Sequence, residues 1–223
     1  MFKIRKIVIP LATAMLVACA GNHGRPVTVL PNGEPPYNNA AIEASYYTKQ
    51  MAVLQADSLK AVETTDWLKF RKEFLKCRLS QPSRFNVMSY EADMSKARNS
   101  GDMDKNLNAA RKILNVDFTN ISAHYAVANH PSTDEKTKEF HTEVIKGLLN
   151  SIRDSGKGTS AETAMYVINI AEEYDYIFFS GLRPISQALI YENNQQIDVM
   201  GAVDEEGNQY QMYFNVTYFV GHY

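Results

Sequence analysis

An excess of charge of one sign is missing from this chain. Twenty-three Lys and Arg stand against twenty-five Asp and Glu, well mixed, for a net charge of −2. Without a basic stripe, electrostatics argue against nucleic acid and anionic membrane surfaces as partners. Cysteine is nearly absent, with only Cys19 and Cys77. Two thiols cannot make the framework that holds small secreted folds together. The apolar run from Ile7 to Ala18 is too short to cross a ~30 Å hydrocarbon core as a helix, and Pro10 interrupts it. No Gly-x-Ser-x-Gly elbow is present, and no His-Glu-x-x-His pair. What the chain has in quantity is bulk for a core: thirteen Tyr and ten Phe.

The N-terminus reads as an export signal rather than as part of the fold. Lys3, Arg5 and Lys6 precede the apolar run, which closes on Leu16-Val17-Ala18-Cys19 with Ala20 and Gly21 behind it. This resembles the lipobox of bacterial lipoproteins. The resemblance implies that residues 1–18 are removed and that Cys19 becomes the first residue, acylated on its sulfur and amine. Each buried CH₂ of an acyl chain contributes about 0.8 kcal/mol, so several chains make a lasting membrane anchor. Ala20 stands where lipoproteins held at the inner membrane usually carry Asp, which implies the outer membrane. Residues 19–37 carry Gly21, Gly24, Gly33, Pro26, Pro31, Pro35 and Pro36 without an amphipathic period, the composition of a tether. With Cys19 acylated, Cys77 is left with no thiol to pair with. It reads as a small apolar residue on a helix.

About two hundred of the 223 residues then remain, enough for a substantial core. Residues 38–155 read as helical. One segment runs from Ala40 to Val62. Thr65 or Asp66 caps the next, where Trp67, Phe70, Phe74 and Cys77 recur every three or four residues. A segment from Phe85 to Ser100 stops at Gly101, and others span Asp104 to Val116 and Ile121 to Ala128. Ser132 and Glu135 form a capping box ahead of Phe140, Val144, Leu148 and Ile152. Residues 156–223 change pattern. Alternation begins at Tyr166, and a short helix follows with Tyr174, Ile177, Phe178 and Leu182 on its packed face. Three strands over 185–191, 196–203 and 209–220 then turn at Asn193-Asn194 and at Glu205 to Asn208, which predicts an antiparallel sheet. The fold class is α+β: an irregular helical array packed with a small sheet and one short helix as a single unit.

Residues 101–128, "GDMDKNLNAARKILNVDFTNISAHYAVA", resemble a tetratricopeptide repeat in Gly101-Asp102, Ala109-Ala110, Leu114 and the Asp117–Asn120 break. Phe118 stands where that repeat has Pro, and no second copy follows at the repeat's spacing of roughly thirty-four residues. A helical hairpin is expected, and with it a candidate surface for a protein or peptide partner. A longer resemblance runs from about Trp67 to Val216. The blocks "FTNISAHY", "KGLLNSIRDSGKGTSAETAMYVINIAEEYDYIFFSGLRPISQALI", "IDVM" and "YFNV" occur in the order found in domain-of-unknown-function family 4919. That family comprises bacterial envelope proteins. The resemblance implies helices followed by an α+β end, and no activity.

Candidate chemistry is thin. "SGKGTS" is not a phosphate loop, because Ser151 and Gly158 stand where Gly and Ser or Thr are needed and the segment follows a helix. His124, His130 and His141 with Glu135 and Glu139 are the crowded metal-type residues. No two of these histidines are four apart, so they read as surface or capping groups and no metal or cofactor is implied. Glu172, Glu173 and Asp175 open the short helix, where carboxylates suit the macrodipole. They are also the only candidates for an acid–base pair, which would need a cleft joining Glu172 or Glu173 to a group such as His141 or Gln187. The leading expectation is a lipid-anchored, non-enzymatic interaction or scaffold protein of the envelope, and the alternative is an envelope hydrolase.

Overall fold

The computed structural model describes residues 39–56 and 59–219. The expected leader, Cys19 and the tether lie outside the described residues. Where one helix is expected over Ala40–Val62 there are three: α1 (Asn39–Ala44), α2 (Tyr46–Leu54) and α3 (Leu59–Thr64). Ser45 causes the first break. Its backbone is extended, and its hydroxyl accepts the Thr48 N–H at 3.1 Å, capping α2.

Next comes α4 (Trp67–Ser80), started by Asp66, whose carboxylate accepts the Lys69 N–H at 3.0 Å. Its stripe of Trp67, Phe70, Phe74 and Cys77 is buried as the periodicity predicts. Then follow α5 (Met88–Ser100), α6 (Met103–Leu114), α7 (Ile121–Ala128) and α8 (Glu135–Arg153). Gly101 ends α5 in the left-handed region, at φ 72°. Helix α8 starts differently from the expected capping box. Asp134 is its cap, accepting from Thr137 N–H at 2.9 Å, while Ser132 is held by His130 Nδ1 at 2.8 Å. On α8, Gly147 gives the Trp67 indole room to lie against the helix, since a Cβ there would collide with the ring.

Successive helices pack on one another, α5 on α6, α6 on α7 and α7 on α8, so the expected hairpin at 101–128 is present. Its connection is buried beneath α2. Asp117 accepts from Thr119 N–H at 2.8 Å, and Asn120 caps α7. The Tyr47 hydroxyl accepts the Phe118 N–H at 3.0 Å and donates to the Val116 carbonyl at 3.2 Å. A Pro at 118 has no N–H to give Tyr47, which accounts for the departure from the repeat pattern. Tyr47→Phe leaves a buried donor and acceptor unpaired. The expected loss is about 1–3 kcal/mol in urea unfolding, with no change in helix content by circular dichroism.

After a single 3₁₀ turn at Ala161–Thr163 come β1 (Met165–Tyr166), α9 (Ile170–Phe179), β2 (Arg183–Glu192), β3 (Gln195–Val203) and β4 (Gln209–Asn215). The sheet order is β1-β4-β3-β2. The three long strands are antiparallel, as alternation predicts, but β1 pairs with β4 in parallel and is only two residues long. Asn169 cuts the expected longer strand short by capping α9 through Glu172 N–H at 2.9 Å. Asn193 and Asn194, at φ 53° and 59°, make the tight turn between β2 and β3 that twisted strands favour. One cluster of buried apolar side chains runs from Ile42 through α4 and α8 to Phe214 and Phe219.

Candidate functional site

The chemistry-bearing side chains gather where α9 meets the helices and the sheet. The short helix is turned differently from the expectation: Tyr174 and Phe178 are each 38% exposed, while Glu172 and Glu173 are buried with Ile177. Apolar spacing alone favours Tyr174 and Phe178 inward. Glu172 turns inward because it finds a guanidinium on another element, and Asp175 because it finds a hydroxyl there.

Glu172 takes the Arg71 guanidinium of α4 in a two-pronged ion pair, Nε to Oε1 at 2.8 Å and Nη2 to Oε2 at 2.5 Å. Both side chains are essentially without solvent exposure. Arg71 also donates to Ser151 Oγ on α8 at 3.1 Å and to the Tyr166 carbonyl of β1 at 2.8 Å. Glu172 Oε2 also accepts the Ile168 N–H at 2.9 Å. Asp175 accepts from Ser122 Oγ of α7 at 2.7 Å, and burial pushes its carboxyl up to about 7. The acidic opening of α9 is therefore not a helix cap, because Asn169 fills that role. It is a set of ties to neighbouring elements.

Glu173 is the exception. It is fully buried, and neither carboxyl oxygen has a hydrogen-bond partner of good geometry. Burial first, and then the negative charge of Asp198 on β3, push its carboxyl up to about 9. At neutral pH it is protonated, beside the Asp198 carboxylate. Asp198 is held in turn by Gln187 Nε2 of β2 at 2.6 Å, and Gln187 Oε1 accepts from the Tyr174 hydroxyl at 3.1 Å. Of the acid–base constellation considered from sequence, the structure brings Glu173 and Gln187 together, through Asp198. His141 belongs to another cluster.

His141 and His124 are buried and face each other, Nδ1 to Nδ1 at 2.7 Å, which corrects their reading as surface or capping groups. His124 Nε2 lies 3.1 Å from the Phe118 carbonyl, so that nitrogen carries the hydrogen. His124 Nδ1 then accepts from His141 Nδ1–H, and both rings are neutral. Burial pushes His124 down to about 3, helped by His141, and pushes His141 down to about 4, helped by the Arg111 charge. His130 is buried too, with Nε2 3.3 Å from Asp104. Among the described residues no three His, Cys, Asp or Glu are grouped to hold a metal. Cys77 is buried, with Sγ 3.6 Å from Ser45 Oγ, and burial pushes its thiol up to about 11, so it packs as an apolar residue.

Two grooves open on the surface. One, of about 630 Å³, runs between α3, the start of α4 and α8, past Trp67, Glu139, Glu143 and Asp154. The other, of about 600 Å³, is bounded by the 153–159 loop, Tyr176, Tyr210 and Met212. "SGKGTS" thus connects helix to sheet, with Gly158 donating to the Thr163 carbonyl and accepting from Tyr213 N–H. Neither groove is lined by Glu172, Glu173 or His141.

Sequence reasoning missed Arg71 and Asp198. Both left a signal: Arg71 interrupts the apolar stripe of α4 one turn after Trp67, and Asp198 alternates with Met200 and Ala202 on the packed side of β3. A charge on a core-facing position announces a buried partner. Nothing in the spacing says which one.

Taken together, this is an α+β protein whose helical array is tied to a small mixed sheet through the acidic first turns of one short helix. The chain belongs to the family described as Domain of unknown function (DUF4919), which it matches over residues 45–223. No curated protein and no solved structure matches it. Among the described residues no helix is long and apolar enough to cross a membrane.

Proposed function

We propose that this protein is a lipid-anchored component of the bacterial cell envelope whose folded head is a protein-interaction or scaffold module. The observation that carries the reading is Leu16-Val17-Ala18-Cys19 behind a basic, apolar leader, followed by a Gly- and Pro-rich tether. Ala20 favours the outer membrane, with the head on the periplasmic side. The tetratricopeptide-like hairpin at 101–128 favours binding over catalysis, and so does the commitment of Glu172, Asp175 and Arg71 to ties within the fold.

The acylated protein is expected in the membrane fraction and soluble only with detergent. Cys19→Ser should move most of the chain to the soluble or uncleaved precursor pool. A variant that partitions with mature protein as the parent does overturns the anchor. Affinity capture from detergent-solubilised envelopes tests the module, and recovery of no partner above background counts against it.

A hydrolase is the second reading, favoured by one observation. Glu173 as a protonated acid beside the Asp198 charge is the pattern by which paired carboxyls divide acid and base roles. It requires substrate to reach a side chain that has no exposed surface.

A further inference from the structure

Strand β2 ends the sheet, and among the described residues no strand pairs with its outer edge. Alternate residues of this ten-residue strand turn their backbone N–H and C=O outward, an invitation to another strand that proteins usually block. Here the blocks sit at one end: Pro184, and the bulge where register shifts between Pro184 and Ser186. From Gln187 to Glu192 the pairing with β3 is regular. Along that stretch Leu189 is 56% and Tyr191 70% exposed. They stand on the packed side of the sheet, opposite Asp198 and Gln196, but beyond the cover of α9.

The charges of β2 are confined to its ends. Arg183 stands opposite Val203 and Glu192 opposite Gln195, so with the bulge counted as one position both lie on the same face. Neither has an ion-pair partner among the described residues. A strand with one positive and one negative end is complementary to its own antiparallel copy. We propose that β2 pairs with β2 of a second copy of this chain, antiparallel across a two-fold axis at Ala188, making one continuous sheet of the two.

In that register Arg183 meets the partner's Glu192 at both ends, Pro184 meets the partner's Tyr191, and Gln187 meets the partner's Leu189. Moving by two residues keeps the packed faces on one side but sets Arg183 against the partner's Ile190 and separates both charge pairs. The small Ala188 on the axis lets its own copy approach. The contact is isologous and therefore closes as a dimer. This names the partner for the interaction module proposed above and does not depend on the lipid anchor.

Cross-linking tests it on the full-length chain in detergent. Directly opposed residues of an antiparallel pair have Cβ atoms about 4.5–5.5 Å apart, close enough for a disulfide after small adjustment. With copper phenanthroline as oxidant, Ala188→Cys should give a band at twice the monomer mass on a non-reducing gel. Gln187→Cys, diagonal to its own copy, should give several-fold less, and Glu206→Cys, away from the edge, only background. Added to Ala188→Cys, either Arg183→Glu or Glu192→Arg should cut the cross-link about fivefold, and the two together should restore it. Light scattering of the unmodified parent should give the protein mass of a dimer. A monomer by scattering, an Ala188→Cys variant that cross-links no better than Glu206→Cys, or a charge swap that fails to restore the band overturns the proposal. An adduct of the Ala188→Cys variant to a different protein also overturns it, while leaving the interaction module standing.

Discussion

Arg71→Leu is expected to be the most damaging single substitution in the described fold, costing about 3–5 kcal/mol in urea unfolding. The reason is the uncompensated charge it leaves behind. Glu172 is buried and keeps one backbone N–H, but it loses both guanidinium prongs. Ser151 Oγ and the Tyr166 carbonyl lose a donor at the same time. Glu172→Leu alone strands Arg71 in the same way. The double variant Arg71→Met with Glu172→Leu removes both charges and should recover much of the loss, because a buried ion pair adds little over apolar side chains of similar size. Equal losses in the single and double variants would mean that packing volume, rather than charge, is what Arg71 supplies.

Glu173→Gln is expected to act in the opposite direction and to depend on pH. Folding raises the Glu173 carboxyl from its ordinary 4.5 to about 9. Between these values the folded chain holds a proton that the unfolded chain releases. Stability from this group is therefore complete below pH 4.5 and falls as pH rises through 9. At pH 7 the carboxyl is held neutral at a cost of about 3 kcal/mol relative to an uncharged residue of the same shape. Glutamine is that residue, and its amide can donate to Asp198. The variant should gain on the order of 2–3 kcal/mol at pH 7, more at pH 8.5 and almost nothing near pH 4.5. Unfolding curves at those three pH values decide it. A pH-independent difference would show that Glu173 is ionised in the fold. Retaining an ionisable group where an amide is more stable is the strongest reason to assay Glu173→Gln for loss of function.

These two carboxylates are adjacent in sequence and have opposite fates, which marks the limit of what spacing can convey. Helical periodicity locates α4, α6, α7 and α8 to within a few residues, because an apolar stripe every three or four positions can be buried on one side only if the chain is helical. Alternation with the Asn193-Asn194 turn locates the hairpin by the same logic. Periodicity fails at α9, where the apolar pattern sets Tyr174 and Phe178 inward and leaves the acids as a cap. Arg71 lies 101 residues before Glu172 in the chain, and no local signal reaches that far. Over 40–62 the pattern predicts one helix because a serine among apolar residues looks tolerable. Ser45 instead uses its hydroxyl on the following turn, which ends one helix and starts another. The histidines escape spacing for a similar reason: His124 and His141 are seventeen residues apart and meet only because α7 and α8 pack together.

The class of fold, the order of its elements and most of its core are written in the chain locally, since they follow from short-range periodicity and from which side chains leave water. The motifs at its N-terminus also suffice for the expectation of a lipid anchor. Packing, and nothing local, settles which charges are buried, which of them carry a proton, and which strand is left at the edge of the sheet. Those outcomes depend on distances between groups far apart in the chain, and a carboxylate in the sequence has no fixed character until a guanidinium or another carboxylate is placed beside it.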